Sequence, residues 1–257
     1  MPNYYEITSP GWNYISSLGK SVAVYKKYFG SSASVVADIG CRDSVDVLYL
    51  KSELGAPLGI AVDANPDVSV VEPGVNYYHT AISNFTGETT FQKISSEYDD
   101  LRGASSIYSS RIDQNSSEFD PMYIVADSID MVTVPVTTMD DFIVSNGLEN
   151  TTIDFMKVDV EGYTGEFLSG YENHLSKVKM LHLETEFISL HQNHSNNVEI
   201  AEYLHSKGFA LVGIYIEWSY PIQEQLWANT ALIGGNILVE DFFEHVADPN
   251  FDQLRNI

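Results

Sequence analysis

The chain has 257 residues, 44% of them hydrophobic, which is enough apolar surface for a sizeable core and excludes wholesale disorder. Its 36 acidic residues against 13 basic ones give a formal charge of −23, so a basic face for nucleic acid or an anionic membrane is not expected. The single cysteine, Cys41, excludes an intramolecular disulfide and a Cys/His zinc site. Residues 2–10 lack the basic start and apolar run of a signal peptide, and no stretch nears the roughly 18 apolar residues of a membrane span. A reducing, aqueous, cytoplasmic setting is the expectation.

Along the chain, residues 12–29 carry Ile15, Leu18, Val22 and Tyr25 at helical spacing, and Gly30 stops the run. Residues 1–33 are therefore read as an N-terminal helical extension. Short apolar runs at 35–39, 58–62, 75–82, 153–160, 178–183, 210–216 and 230–239 have the character of buried strands. Helical patterns at 45–54, 138–146, 163–171 and 196–207 lie between most of them. Such alternation builds a mostly parallel, doubly wound α/β sheet covered on both faces. Residues 89–94 and 131–136 read as extra strands around a polar insertion at 95–130, which is long enough to be a lid or binding loop. The whole of 1–257 is expected to form one domain.

The chemistry gathers at strand ends. The first strand runs into Asp38-Ile39-Gly40, where glycine permits a tight turn and a close ligand approach, and the following helix offers free N–H groups. A carboxylate here disfavours a pyrophosphate and suits a cationic amino group. An ordinary strand–turn–helix is the alternative. The second strand ends in Asp63, placed 25 residues after Asp38 to accept ribose hydroxyls, or else to cap the turn at Asn65-Pro66. Ala81 and Ile82 end a third strand, where adenine would pass, and His79 before them reads as a core or edge residue. The run Met156-Lys157-Val158-Asp159-Val160-Glu161-Gly162-Tyr163 delivers two acids and a glycine to the edge where open α/β sheets keep their sites. These acids can share a proton, bind a cation, hold sugar hydroxyls, or cap backbone. On the next strand His182 and Glu184 share side-chain parity, so the four groups can line one cleft, with His182 as a general base, or with the cluster orienting the acceptor, serving as a Mg²⁺ or Ca²⁺ site, or purely structural. His191 and His194 fit a loop leading into a helix cap better than a ligand pair. Trp218, Tyr220 and Trp227 read as edge packing.

Taken together, Asp-x-Gly after a strand, Val62-Asp63-Ala64-Asn65-Pro66, Ala81-Ile82-Ser83-Asn84 before Thr86-Gly87, Val136 to Ile143, and Lys157 to Gly162 resemble the FkbM-family methyltransferases. The resemblance covers about residues 35–235. It implies a Rossmann-like class I methyltransferase fold and S-adenosylmethionine-dependent O-methylation, mostly of sugar and polyketide hydroxyls. It places Asp38 and Gly40 at the methionine end, Asp63 at the ribose and Ala81-Ile82 on the adenine side. Gly103-Ala104-Ser105-Ser106 corresponds to the family's Ser-Ser stretch, so Ser105 and Ser106 join the cofactor set, and Asp159 and Glu161 sit at the reaction centre. Ser44 stands where the family commonly has a second glycine; it either contacts the cofactor or caps the next helix.

The expected activity is methyl transfer from S-adenosylmethionine to a hydroxyl of a small-molecule or glycan acceptor, with Asp159, Glu161, His182 and Glu184 as catalytic residues. A divalent metal is an alternative use of that cluster. A non-catalytic glycan- or protein-binding domain of the same fold is the competing reading. A nicotinamide-dependent oxidoreductase is disfavoured, because Asp38 to Asp43 lacks G-x-G-x-x-G spacing.

Overall fold

The computed structural model describes residues 7–9, 12–14, 17–94, 105–106, 129–186, 195–215 and 222–233. Most of the 95–130 insertion, His191, His194, Trp218 and Tyr220 lie outside the described residues. The elements in chain order are β1 (Ile7–Ser9), β2 (Trp12–Tyr14), α1 (Ser17–Phe29), β3 (Val35–Ile39), α2 (Val45–Leu54), β4 (Leu58–Asp63), β5 (Val75–His79) and β6 (Ala81–Ser83). They continue with β7 (Gly87–Ile94), β8 (Ile129–Thr138), α3 (Met139–Ser145), β9 (Ile153–Val158), α4 (Thr164–Ser169), β10 (Val178–Glu186), α5 (Asn197–Ser206), β11 (Phe209–Tyr215) and β12 (Ile222–Asn229).

The main sheet has the order β11-β12-β10-β9-β3-β4-β5. Strand β12 runs antiparallel to both neighbours, and the pairings from β10 through β9, β3 and β4 to β5 are parallel. Central strands β3 and β9 are buried at every residue, as strands covered on both faces must be. Apolar residues of α1 and α2, such as Val22, Leu50 and Leu54, fill one face. Those of α3, α4 and α5, such as Phe142, Phe167 and Leu204, fill the other. Among the described residues no helix is long and apolar enough to cross a membrane.

Three elements differ from the sequence expectation. Residues 12–14 pair with 7–9 as strands, so the first helix begins only at Ser17. The run at 75–82 divides at Thr80, whose N–H donates to the Asp63 carbonyl (3.0 Å), and Ala81–Ser83 leaves for a second sheet ordered β6-β8-β7. Residues Ile222–Asn229 form a strand, residues 230–232 form a turn, and 234–239 of the expected apolar run lie outside the described residues. Gln223, Glu224 and Gln225 conceal that strand in the sequence because they are polar, yet all three are buried. Their polarity is partly met inside: Glu224 accepts from His182, and Gln225 accepts from the Trp227 indole. Trp227 consequently packs in the core and not at an edge.

The junction of β3 with β9 fixes the geometry that follows. Asp159 N–H donates to the Ile39 carbonyl (2.9 Å), which draws the β9 end over Gly40. Gly40 has φ +80°, and a Cβ there would overlap the Asp159 carbonyl. Glycine is required at this position by backbone packing, before any ligand is considered. Gly40→Ala should destabilise the protein by about 3 kcal/mol or more, measurable by urea denaturation.

Candidate functional site

A cavity opens at the carboxyl ends of β3, β4 and β9, where the order of the sheet reverses around β3. Crevices of open α/β sheets form there because neighbouring loops leave in opposite directions. Gly40 and Cys41 donate their N–H groups to the Val62 carbonyl (2.8 and 3.1 Å), holding the turn against β4. Asp63, at the end of β4, accepts one backbone N–H on each oxygen, from Arg42 and from Asn65, both at 2.7 Å. Burial pushes its carboxyl up, and those two bonds oppose the rise. The second sheet supplies the opposite wall through Ala81, Ile82 and Phe91. Ser105 and Ser106 also line the cavity. Ser106 exchanges backbone hydrogen bonds with Gln92 of β7 and donates its hydroxyl to the Glu161 carbonyl (2.8 Å). That bond helps hold Glu161 at φ +49°, a left-handed conformation costly for a side chain of this size.

Beneath the cavity floor lies a buried ammonium. Lys157 contacts Asp159 and Asp46 at 3.0 Å each and Asp38 at 4.0 Å. Burial alone would depress it, but the three carboxylates outweigh burial and hold it well above the usual lysine range. Asp38 is fully buried, and neither carboxylate oxygen has a hydrogen-bond partner among the described residues. Burial pushes its carboxyl up to about 8; Lys157 resists, and Asp46, Asp159 and Asp63 add to the rise.

Asp159, Glu161 and Glu184 converge at the ends of β9 and β10, each offering an oxygen within 4.8 Å of the others. Asp159 gives Oδ2 to Lys157, and its Oδ1 has no hydrogen-bond partner among the described residues. Burial and the charge of Asp159 raise Glu161 and Glu184 well above the usual carboxylate range. Like charges this close disfavour one another, which adds to the effect of burial on Glu161 and Glu184. The Thr164 hydroxyl donates to the Glu184 carbonyl (2.8 Å) and ties the start of α4 to β10.

The structure thus gathers Gly40, Asp63, Ala81, Ile82, Ser105, Ser106, Asp159 and Glu161 around one cavity, with Glu184 beside it. Three expected site residues lie elsewhere. Asp38 points to the α2 side of the sheet, toward Lys157, and does not line the cavity. Ser44 is the N-cap residue of α2 but makes no side-chain capping bond and does not line the cavity; Asp43 Oδ1 accepts from Val45 N–H instead. His182 is buried, with Nδ1 2.9 Å from the Ser21 hydroxyl and Nε2 2.7 Å from Glu224. It shares a face with Glu184, as parity requires. Two residues back along the strand, however, that face is covered by α1, so the imidazole cannot meet an acceptor at the cavity.

Sequence reading missed Arg42, Asn65 and Phe91 as cavity residues and Asp46 as a partner of Lys157. Arg42 sits two residues beyond Gly40, which was a usable signal. Phe91 had none, because its approach depends on how the two sheets pack.

A mostly parallel, doubly wound sheet, a cavity at its switch point and an acid ending the second strand define a Rossmann-like fold with a cofactor crevice. Residues 38–211 match the model of the methyltransferase FkbM domain, and the chain belongs to that family. No curated protein matches the chain significantly. Among solved structures it is similar to M. capricolum TrmK in complex with S-adenosylhomocysteine, at 11% identity and TM-score 0.40, over 92% of this chain and 81% of that one. It is also similar to B. subtilis tRNA methyltransferase TrmK, at 14% and 0.36 over 82% and 65% of the two chains. A Streptococcus agalactiae protein of the NADB-Rossmann superfamily matches at 14% and 0.38 over 87% and 72%.

The position of Asp38 sets a pH dependence. Its folded value, about 8, exceeds the ordinary 3.8, so the fold favours the protonated acid. Nothing is lost while both folded and unfolded chains hold that proton. Stability then falls as pH rises from the unfolded value toward the folded one, because only the unfolded chain ionises freely. Asp38→Asn should raise the Tm by about 4 °C or more at pH 8, and melts repeated downward in pH should show the gain vanish near pH 4.

Proposed function

We propose that this methyltransferase acts on a hydroxyl of a neutral sugar or glycan, with Asp159, Glu161 and Glu184 forming the proton-accepting wall of the acceptor site. The observation that carries the reading is the convergence of these three carboxylates at the strand edge, two of them lining the cavity itself. The donor set around the cavity suits the cofactor. Asp63 has lone pairs beyond its two backbone bonds for ribose hydroxyls, since a carboxylate accepts about four. Ala81, Ile82 and Phe91 give apolar surface for a purine, and Gly40 brings bare backbone to the methionine end.

S-adenosylmethionine supplies a methyl group made electrophilic by its sulfonium. The chain's own tasks are to align the hydroxyl oxygen with that carbon, exclude water and take the proton. Asp159 suits proton acceptance because Lys157 immobilises Oδ2 while Oδ1 stays unbonded among the described residues. Glu161 and Glu184, raised above the usual carboxylate range by burial and the charge of Asp159, can hold acceptor hydroxyls or relay the proton. Asp63, Asp67, Asp159 and Glu161 line the cavity, so a phosphorylated or carboxylated acceptor meets like charge, which extends the expectation against nucleic acid. Under this reading the enzyme works in the cytoplasm, with Cys41 as a buried free thiol.

The same spacing of oxygens supports a second use, the binding of a hard divalent cation such as Mg²⁺ or Ca²⁺. The two uses separate by experiment. With carboxylates acting alone, Asp159→Asn should lower kcat by roughly a hundred- to ten-thousandfold, with little change in cofactor Kd and none in rate on adding EDTA. Loss of activity in EDTA and its return with Mg²⁺ or Ca²⁺ would assign the cluster to a cation. Full activity in Asp159→Asn, Glu161→Gln and Glu184→Gln alike would remove it from the reaction. Across an acceptor panel, uronic acids and sugar phosphates should show kcat/KM at least about tenfold below their neutral parents, a difference of about 1.4 kcal/mol or more.

A further inference from the structure

We infer that Arg42 receives the α-carboxylate of S-adenosylmethionine, an assignment that rests on reading the cavity as the cofactor site. The amino-acid tail of this cofactor is a zwitterion, and the cavity is acidic. Asp63, Asp67, Asp159 and Glu161 all line it. Those groups favour the ammonium and repel the carboxylate, so a tail lodged among them needs a cation for its anionic half. Among the described residues lining the cavity, Arg42 carries the only cationic side chain.

Its placement is built into the backbone. Arg42 stands at φ +44°, in the left-handed region, two residues beyond the Gly40 turn. Its N–H donates to Asp63 Oδ2 at 2.7 Å, so the carboxylate that faces the ribose also fixes where the arginine side chain begins. The positive charge of Arg42 acts to lower Glu161, against the rise that burial causes. The arginine is exposed and lines the cavity, where a bound ligand can reach it. A guanidinium offers parallel N–H donors that match a carboxylate in bidentate geometry. Ser44 lies outside the cavity, so the contact that a glycine-rich turn would make through bare N–H groups falls to a side chain here.

The test compares S-adenosylmethionine with decarboxylated S-adenosylmethionine by calorimetry; the two ligands differ only in the carboxylate. Wild-type protein should bind the complete cofactor about 10- to 100-fold more tightly. Arg42→Gly, which suits the left-handed backbone, should lose that advantage by weakening the complete cofactor and leaving the decarboxylated one within about threefold. Arg42→Gln, which keeps much of the stem and removes the charge, should show the same split. Equal weakening of both ligands, or no change in either, would overturn the assignment. Asp63→Ala should weaken both ligands about equally, roughly ten- to a hundredfold. Failure of wild type to bind either ligand, or an Asp63→Ala variant as tight as wild type, would overturn the cavity reading and the Arg42 assignment with it.

Discussion

The ammonium of Lys157 is the constraint on which this site depends. It lies buried between the ends of β3 and β9 and the first turn of α2, touching Asp159, Asp46 and Asp38. Deleting that charge would leave Asp159 and Asp46 without their counter-charge, and stranding one side of a buried ion pair is costly. The same contact takes one oxygen of Asp159 and leaves the other without a hydrogen-bond partner among the described residues. A single buried residue thereby joins the motif after the first strand, the first turn of the following helix and the acidic end of β9.

Two close approaches complete the arrangement. Gly40 admits the backbone of Asp159 where any side chain would collide. Ser106, reaching across from the second sheet, holds the carbonyl of Glu161. Left-handed backbone at Arg42 and Glu161, both lining the cavity, marks where the chain is bent to place charged groups. Non-glycine residues hold such conformations only when surrounding bonds over-determine them, and here those bonds run to Asp63 and Ser106.

Other parts of the family-like motifs are architectural. Asp140, early in α3, accepts N–H bonds from Glu172, Asn173 and His174, together with their side-chain contacts from Asn173 and His174. Although burial would raise it, these bonds prevail and hold Asp140 below the usual carboxylate range. Thr138 caps the same helix by accepting from Asp141 N–H at 3.0 Å. The threonine-aspartate run that carries part of the resemblance therefore locks α3 to the loop after α4 and touches no part of the cavity. Buried Asp154 does comparable work at the other end of β9, accepting from Ser34 and Val35 N–H and pairing with Lys179.

The sequence by itself determined the alternation of strands and helices, the acid closing β4, and the pair of acids closing β9. These are local properties: a buried strand is an apolar run, and its end is the first polar residue after it. Helix α2 falls on the expected residues, and β4 and α5 within a residue or two, for that reason. Only the tertiary structure decided which strand ends share a space. Parity put His182 and Glu184 on one face but could not show that α1 covers the deeper of the two. Strand β12 was hidden because Gln223, Glu224 and Gln225 look exposed until a buried histidine and an indole give two of them partners. The meeting of Arg42, Asp63, Phe91, Ser106 and Glu161 around one cavity is likewise absent from any local pattern. It arises from sheet order and from one sheet packing on another, which are set by long-range burial and not by neighbouring residues.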